Sequence, residues 1–285
     1  MKATDRLHRK IGFLGHPSAV LTYHVIAPKA SKYIYSTSCN QFEEHLKWIS
    51  ELRHAERVPY SLPEVTFDDG KTSDYQYGLP LLQQYGNPGI FFVTVGRIGT
   101  ADFMNWEQVR EIASMGHAVQ SHGWSHLLLT RAKADELTME LEWSRKTLED
   151  HLDSRVTSLS LPGGRWNAKV LRACSNAGYE RVYHSDPWRP VQILEGTSFV
   201  GRLMVRNTMS ADQLRRLFSG NRGELLLLRS QHELKGMFKG LVGDGLYHSI
   251  WRGARHLATF VDGARQRPPK FPSAEDRASS SGERP

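Results

Sequence analysis

With 285 residues, 39% of them hydrophobic and 24% charged, the chain can bury a sizeable core, and no stretch approaches the ~18 consecutive apolar residues of a membrane span. Its two cysteines, Cys39 and Cys174, exclude a disulfide framework and a CxxC zinc site, and the mixed segment Met1–Gly15 lacks the apolar core of a secretory signal, so a cytoplasmic protein is expected. The net charge of +7 sits entirely in the last third: residues 1–200 hold 22 Lys+Arg against 22 Asp+Glu, and residues 201–285 hold 15 against 8.

In chain order, Ala19–Tyr23 reads as a buried strand, followed by Phe42, Leu46, Ile49 and Leu52 at helical spacing. Glu64–Phe67 is a short strand stopped by Asp-Asp-Gly. A helix is predicted from about Ser73 to Tyr85, a strand over Gly89–Val95, and a helix that Asn105 and Gln108 cap and Gly116 closes. Ala118–Ser121 is a brief strand running into His122. A long helix over Ala134–Leu152 precedes a strand at Thr157–Leu161, broken by Pro162-Gly163-Gly164. Asn167 caps the next helix. Arg181–Ser185, Arg202–Val205 and Leu225–Leu228 read as further strands, with a short helix capped by Ser210 between the last two. This alternation predicts an α/β fold with a mostly parallel sheet, open or closed into a barrel. Residues 1–18 are expected to form a lead-in and 19–235 the main α/β unit. Residues 236–266 are expected to be a basic, apolar helical extension, packed on the barrel or touching a membrane or lipid-linked substrate, and 267–285, rich in Pro and Ser, a disordered tail.

The chemistry concentrates in two stretches, Thr66-Phe67-Asp68-Asp69-Gly70 and His122-Gly123-Trp124-Ser125-His126. Consecutive residues leaving a strand point to opposite sides, so one carboxylate can meet a metal and its neighbour a water. The histidines stand at i and i+4, a spacing that on a helical turn lets both rings reach one ion. Both stretches follow short strands of one parallel sheet and so land on the same rim. Two imidazoles and one carboxylate leave positions open on a divalent ion, as a catalytic metal site requires.

These motifs, together with Leu21-Thr22-Tyr23-His24, Gly78-Leu79-Pro80-Leu81-Leu82, Phe91-Phe92-Val93 and Pro162-Gly163-Gly164-Arg165 in that order, resemble the polysaccharide deacetylases, the NodB-homology carbohydrate esterases, over about residues 19–232. The resemblance implies a distorted (β/α) barrel of about seven parallel strands that hydrolyses an N-acetyl group on a sugar. It makes Asp69, His122 and His126 the metal ligands, Asp68 the general base, and His232 the acid that protonates the departing amine. A backbone N–H near Gly163 would hold the oxyanion. Zinc is the expected ion, with cobalt, nickel or manganese compatible with the same donors. The chain departs from the family pattern in three places. Ser160 stands where an arginine is usual, two residues before the proline, leaving Arg165 to approach the base from another direction. Asp186-Pro187-Trp188 is more tightly spaced than the family's Asp and Trp, with Asp186 expected to orient a partner and Trp188 to wall the acid histidine. The usual Leu-x-His is replaced by Leu228-Arg229-Ser230-Gln231-His232. Trp124, between the two histidines, is the expected sugar-stacking ring.

The resulting expectation is a metal-dependent deacetylase acting on an N-acetylated sugar or sugar-containing intermediate, phosphate-bearing or lipid-linked, with no nucleic-acid partner; peripheral membrane contact is the alternative to packing on the barrel for the C-terminal extension. Two alternatives are a deformylase or amidase with the same site, and a non-catalytic carbohydrate-binding relative.

Overall fold

A computed structural model describes residues 17–55 and 62–234. The C-terminal extension, the tail and most of the N-terminal lead-in lie outside the described residues.

The chain opens with β1 (Val20–Tyr23), β2 (Val25–Ala27), β3 (Ser36–Ser38) and α1 (Cys39–Arg53), then β4 (Glu64–Phe67), α2 (Leu79–Gln84), β5 (Gly89–Val93), α3 (Trp106–Ser114) and β6 (Ala118–Ser121). There follow α4 (Ala134–Thr138) and α5 (Ser144–Leu152), joined by a π-helical stretch over Met139–Trp143, and then β7 (Ser158–Ser160), α6 (Ala168–Asn176) and β8 (Arg181–His184). The last elements are β9 (Gln192–Leu194), β10 (Thr197–Gly201), β11 (Leu203–Met204) and α7 (Ala211–Phe218), after which residues 222–234 are helical. Asn105 and Gln108 form the capping box that the sequence predicts for α3, and Ser38, Asn167 and Ser210 cap α1, α6 and α7 through their side chains.

The main sheet runs β11-β1-β4-β5-β6-β7-β8-β10-β9, every neighbouring pair parallel except β10 with β9. Its curl follows from contacts a flat sheet forbids. Strands β5 and β8 are three spacings apart, roughly 14 Å on a flat sheet, yet the Phe92 and Tyr183 rings lie 5.1 Å apart. Glu64 on β4 and Arg181 on β8, a further strand apart, form an ion pair at 2.9 Å. Val20, Phe92, Tyr183 and Val200 therefore fill the interior of a half-barrel, while their alternating neighbours Leu21, Phe91, Val182 and Phe199 join a larger core that includes buried residues of α1, α3, α5, α6 and α7. A single residue, Arg202, separates β10 on one side of the curl from β11 on the other, so the chain steps across the seam there.

Two expectations are corrected. Leu225–Leu228 is helical rather than a strand: Asn221 accepts from the Glu224 amide, Leu225 and Leu228 are buried, and Leu226 and Leu227 face outward, an i, i+3 pattern that a run of four leucines conceals. The strand β10, a direct neighbour of β8, was not anticipated at all. Among the described residues no helix is long and apolar enough to cross a membrane.

One buried histidine ties α1 to β1 and to the turn before α7. His45 Nδ1 accepts from the Tyr23 hydroxyl at 2.9 Å, and Nε2 donates to the Met209 carbonyl at 2.9 Å. Burial holds its pKa down at about 4, against partial opposition from the Met209 carbonyl. The unfolded chain takes up a proton near pH 6.5 and the folded chain does not, so this contribution is intact above pH 6.5 and is lost as the pH falls towards 4. Urea denaturation at pH 7.5 and 5.5 should show the native protein losing about 1 kcal/mol more than His45→Gln over that interval.

Candidate metal centre

Strand β4 ends at the mouth of the half-barrel and delivers both carboxylates. Asp68 points inward, 3% exposed. Asp69 takes a left-handed backbone, with φ of 78°, which turns its side chain away from Asp68. Its Oδ1 lies 3.5 Å from His122 Nε2 and 3.2 Å from His126 Nε2. Burial raises the Asp69 pKa, but hydrogen bonds from both histidines win and hold it well below the usual carboxylate range.

The donor atoms of Asp69, His122 and His126 all lie within 4.8 Å of one another, close enough to share one ion. His122 is set for this role by β7: its Nδ1 donates to the Ser160 carbonyl at 2.8 Å, which fixes the ring so that Nε2 is the nitrogen beside Asp69, the one that would give up its proton and offer its lone pair to a bound ion. One oxygen and two imidazole nitrogens on a half-open rim suit a divalent transition ion. The histidines do not converge on a helical turn, as their spacing alone suggested. Residues 122–126 form an irregular loop in which Gly123 and His126 have φ of 76° and 65°.

Asp68 is held by a residue the sequence reading missed. Arg202 Nη1 donates to Asp68 Oδ1 and Nη2 to Oδ2, both at 2.8 Å, and Arg202 is itself 1% exposed. Ser160 Oγ donates to Oδ2 at 3.1 Å and accepts from Arg202 Nη2 at 2.7 Å. The arginine against this carboxylate is thus Arg202, arriving from the seam, and not Arg165; Ser160, at the family's arginine position, becomes its hydrogen-bonding partner. A signal was present, since a charged residue in the apolar run Phe199-Val200-Gly201-Arg202-Leu203-Met204-Val205 has to be buried and therefore paired. Burial pushes the Asp68 pKa up, but the Arg202 charge, with His122 and the Arg202 hydrogen bonds, brings it down to about 2.

The remaining predicted site residues fall into a second group. His232, in the 222–234 helix, sets Nε2 at 3.4 Å from Asp186 Oδ1, and the same oxygen accepts from the Trp188 amide at 3.1 Å. Arg229 lies 5.7 Å over the Trp188 ring. Gly163 has φ of 67° in the tight turn after β7, a left-handed backbone that favours glycine, and a Cβ there would also displace the end of the Leu128 side chain, 2.6 Å away. Trp124 packs its half-buried ring against the core beside the metal-ligand loop. His24 stacks on Tyr35 at 5.0 Å; burial lowers its pKa, and the charges of Asp68, Asp69, Arg202 and His122 act on it, which places it at the same mouth.

The polysaccharide deacetylase family model matches residues 60–182, the segment that carries both aspartates and both histidines. YxkH of Bacillus subtilis is 28% identical over 59% of this chain and 64% of its own length. Over these residues the chain is similar to the polysaccharide deacetylase family. A poly-β-1,6-N-acetyl-D-glucosamine N-deacetylase of Staphylococcus aureus is 23% identical over 62% of this chain and 74% of the relative. Among solved structures, a Streptococcus pyogenes deacetylase in complex with acetate superposes with a TM-score of 0.58 at 20% identity, covering 70% of this chain and 96% of that one. IcaB from Ammonifex degensii gives the same score at 24% identity, covering 72% and 98%. These superpositions share the curled, mostly parallel sheet. Family members hydrolyse carbon–nitrogen bonds other than peptide bonds.

Proposed function

We propose that this protein removes the acetyl group from an N-acetylated sugar unit, releasing acetate and a free amine. The observation that carries the reading is the separation of two carboxylates on adjacent residues: Asp69 shared with two histidines, Asp68 withdrawn from them and clamped by Arg202. A bound zinc or similar ion would polarise the amide carbonyl and acidify a water. Asp68 then acts as the base. Its Oδ2 already accepts from Arg202 and Ser160, whereas Oδ1 accepts only from Arg202, so a lone pair on Oδ1 stays available for a proton. Its depressed pKa keeps it ionised at neutral pH, and so weak a base is adequate for an already acidic proton. His232, oriented by Asp186, is the acid that returns a proton to the leaving amine, the turn at Gly163 supplies an oxyanion contact, and Trp124 and Trp188 are apolar walls for the sugar.

The Staphylococcus aureus relative's substrate favours an N-acetylglucosamine unit. A phosphate-bearing version is favoured by a pair of cations at the same mouth: Lys71 Nζ lies 3.8 Å and Arg97 Cζ 5.2 Å from the centroid of the Phe103 ring. The segment carrying Phe103 is bonded to residues 70–72, and the turn carrying Arg97 to Gly123 and Trp124. Incubation of the metal-loaded protein with β-1,6-linked N-acetylglucosamine oligomers and with N-acetylglucosamine phosphate is expected to yield acetate and free amine in equal amounts. Formate from an N-formyl analogue alone would make the protein a deformylase, and binding of the oligomers without any product would make it a carbohydrate-binding relative.

A further inference from the structure

The loop between the two candidate histidine ligands is held by a carboxylate outside every motif read from the sequence. Glu140 is fully buried. Its Oε2 accepts from the Trp124 amide at 2.7 Å, and both its oxygens lie 3.1 Å from the Ser125 amide. Oε1 also accepts from the Ser125 hydroxyl. Among the described residues no lysine, arginine or histidine is paired with this carboxylate; the donors that surround it belong to the loop joining His122 to His126. The fit is close enough that a Cβ on Gly123 would stand 2.8 Å from Glu140 Oε2.

The opposite edge of the loop is fixed as well. The Gly123 and Trp124 carbonyls accept from the Val95 and Gly96 amides at 3.1 and 2.9 Å, and the Gly123 amide donates to Ser121 Oγ. Ser121 is in turn bonded to Ser144, which donates to the Glu140 carbonyl. Glu140 lies within the π-helical stretch Met139–Trp143, the interruption between α4 and α5. Single π-helical turns of this kind recur at functional sites. The loop they face leaves His126 in a left-handed backbone that a non-glycine residue adopts only when its surroundings impose it.

We infer that Glu140 is a positioning residue for the metal centre: it gathers the Trp124 and Ser125 donors and thereby imposes the loop conformation that brings His126 onto the ion shared with Asp69 and His122. Without it, two half-buried amides lose their acceptor and the loop relaxes to find others, moving His126 while leaving His122, anchored on Ser160, in place. This rests on the metal-dependent reading given above.

The test is a titration of metal-stripped protein with cobalt, followed by its visible absorption, and with zinc in competition with a chromogenic chelator. Glu140→Gln is nearly isosteric but replaces one acceptor oxygen with a donor that opposes the loop amides. It is expected to raise the metal Kd about 10–100-fold, the range for groups that orient ligands from behind, and to alter the cobalt spectrum as His126 shifts. Ser125→Ala removes only the hydroxyl bond and is expected to raise Kd about three- to tenfold, below the range for Glu140→Gln. A Glu140→Gln protein that binds metal within twofold of the native affinity, with only the melting temperature of the stripped form lowered, would reduce Glu140 to a fold anchor and overturn the inference. Should Glu140→Gln fail to fold, unchanged affinity in Ser125→Ala overturns it too. A native chain that binds neither cobalt nor zinc would instead sink the metal-dependent reading itself.

Discussion

Replacing Arg202 with alanine is expected to cost about 3–5 kcal/mol of stability and to lower kcat by roughly 10²–10⁴. Both members of the Arg202–Asp68 pair are almost fully buried. Removing one leaves the other as an uncompensated charge in an apolar setting, which is far more damaging than losing an exposed ion pair. The kinetic loss follows from the geometry: the guanidinium grips both carboxylate oxygens, so it sets the direction of the free lone pair as well as its charge. Arg202→Lys keeps the charge but loses the planar fork, and should recover stability better than rate. Asp68→Asn, which keeps the shape but cannot accept the proton as a base, should lose as much kcat as Arg202→Ala. A sharper check exploits Ser160, whose hydroxyl touches both partners. An arginine introduced at 160 would enter the same volume from β7, so Ser160→Arg combined with Arg202→Ser should regain part of what Arg202→Ser alone loses. Urea denaturation and kcat on metal-saturated protein read both effects. Near-native rate in Arg202→Ala would mean that Asp68 does not serve as the base.

Stripping the protein with a chelator is expected to lower turnover by at least about 10³-fold, since a Lewis acid contributes several kcal/mol to such a reaction and each 1.36 kcal/mol is a decade in rate. Activity should return on adding zinc, cobalt, nickel or manganese, and the order of recovery identifies the preferred ion. His122→Ala should be the most damaging single ligand change. His122 is 2% exposed at its side chain, with one nitrogen committed to the Ser160 carbonyl, whereas the His126 side chain is 31% exposed and reaches the site from a loop. A fixed ligand has already lost its rotational freedom in the folded chain and brings more affinity per bond than a mobile one. Metal content by mass spectrometry beside kcat separates lost binding from lost chemistry. Undiminished turnover in thoroughly stripped protein would remove the metal from the reaction.

Much of the site was legible in the amino-acid order because it is local. Asp68 and Asp69 sit where a four-residue strand ends, and His122 follows another, so strand ends of one parallel sheet predicted a common rim. The helix caps at Asn105, Asn167 and Ser210 were legible for the same reason, each being a side chain bonded to an amide three residues on. The leucine run at 225–228 was misread because four adjacent apolar residues carry no period; only the Asn221 cap and the outward faces of Leu226 and Leu227 separate helix from strand.

Taken alone, the amino-acid order determined the family resemblance, the alternation of strands and helices, and the three side chains that converge as candidate metal donors, all of which depend on residues close together in the chain or on motifs kept as units. The tertiary structure decided what no spacing encodes: that the sheet curls until Arg202 at its seam meets Asp68, 134 positions away in sequence, and that Glu140 lies against the loop of the histidines. Such contacts arise from strand curvature and helix packing, which sum many weak preferences across the whole fold. The partner of a buried charge is therefore known to exist from the sequence, because an unpaired one is prohibitively costly, but its identity emerges only when the chain has closed around it.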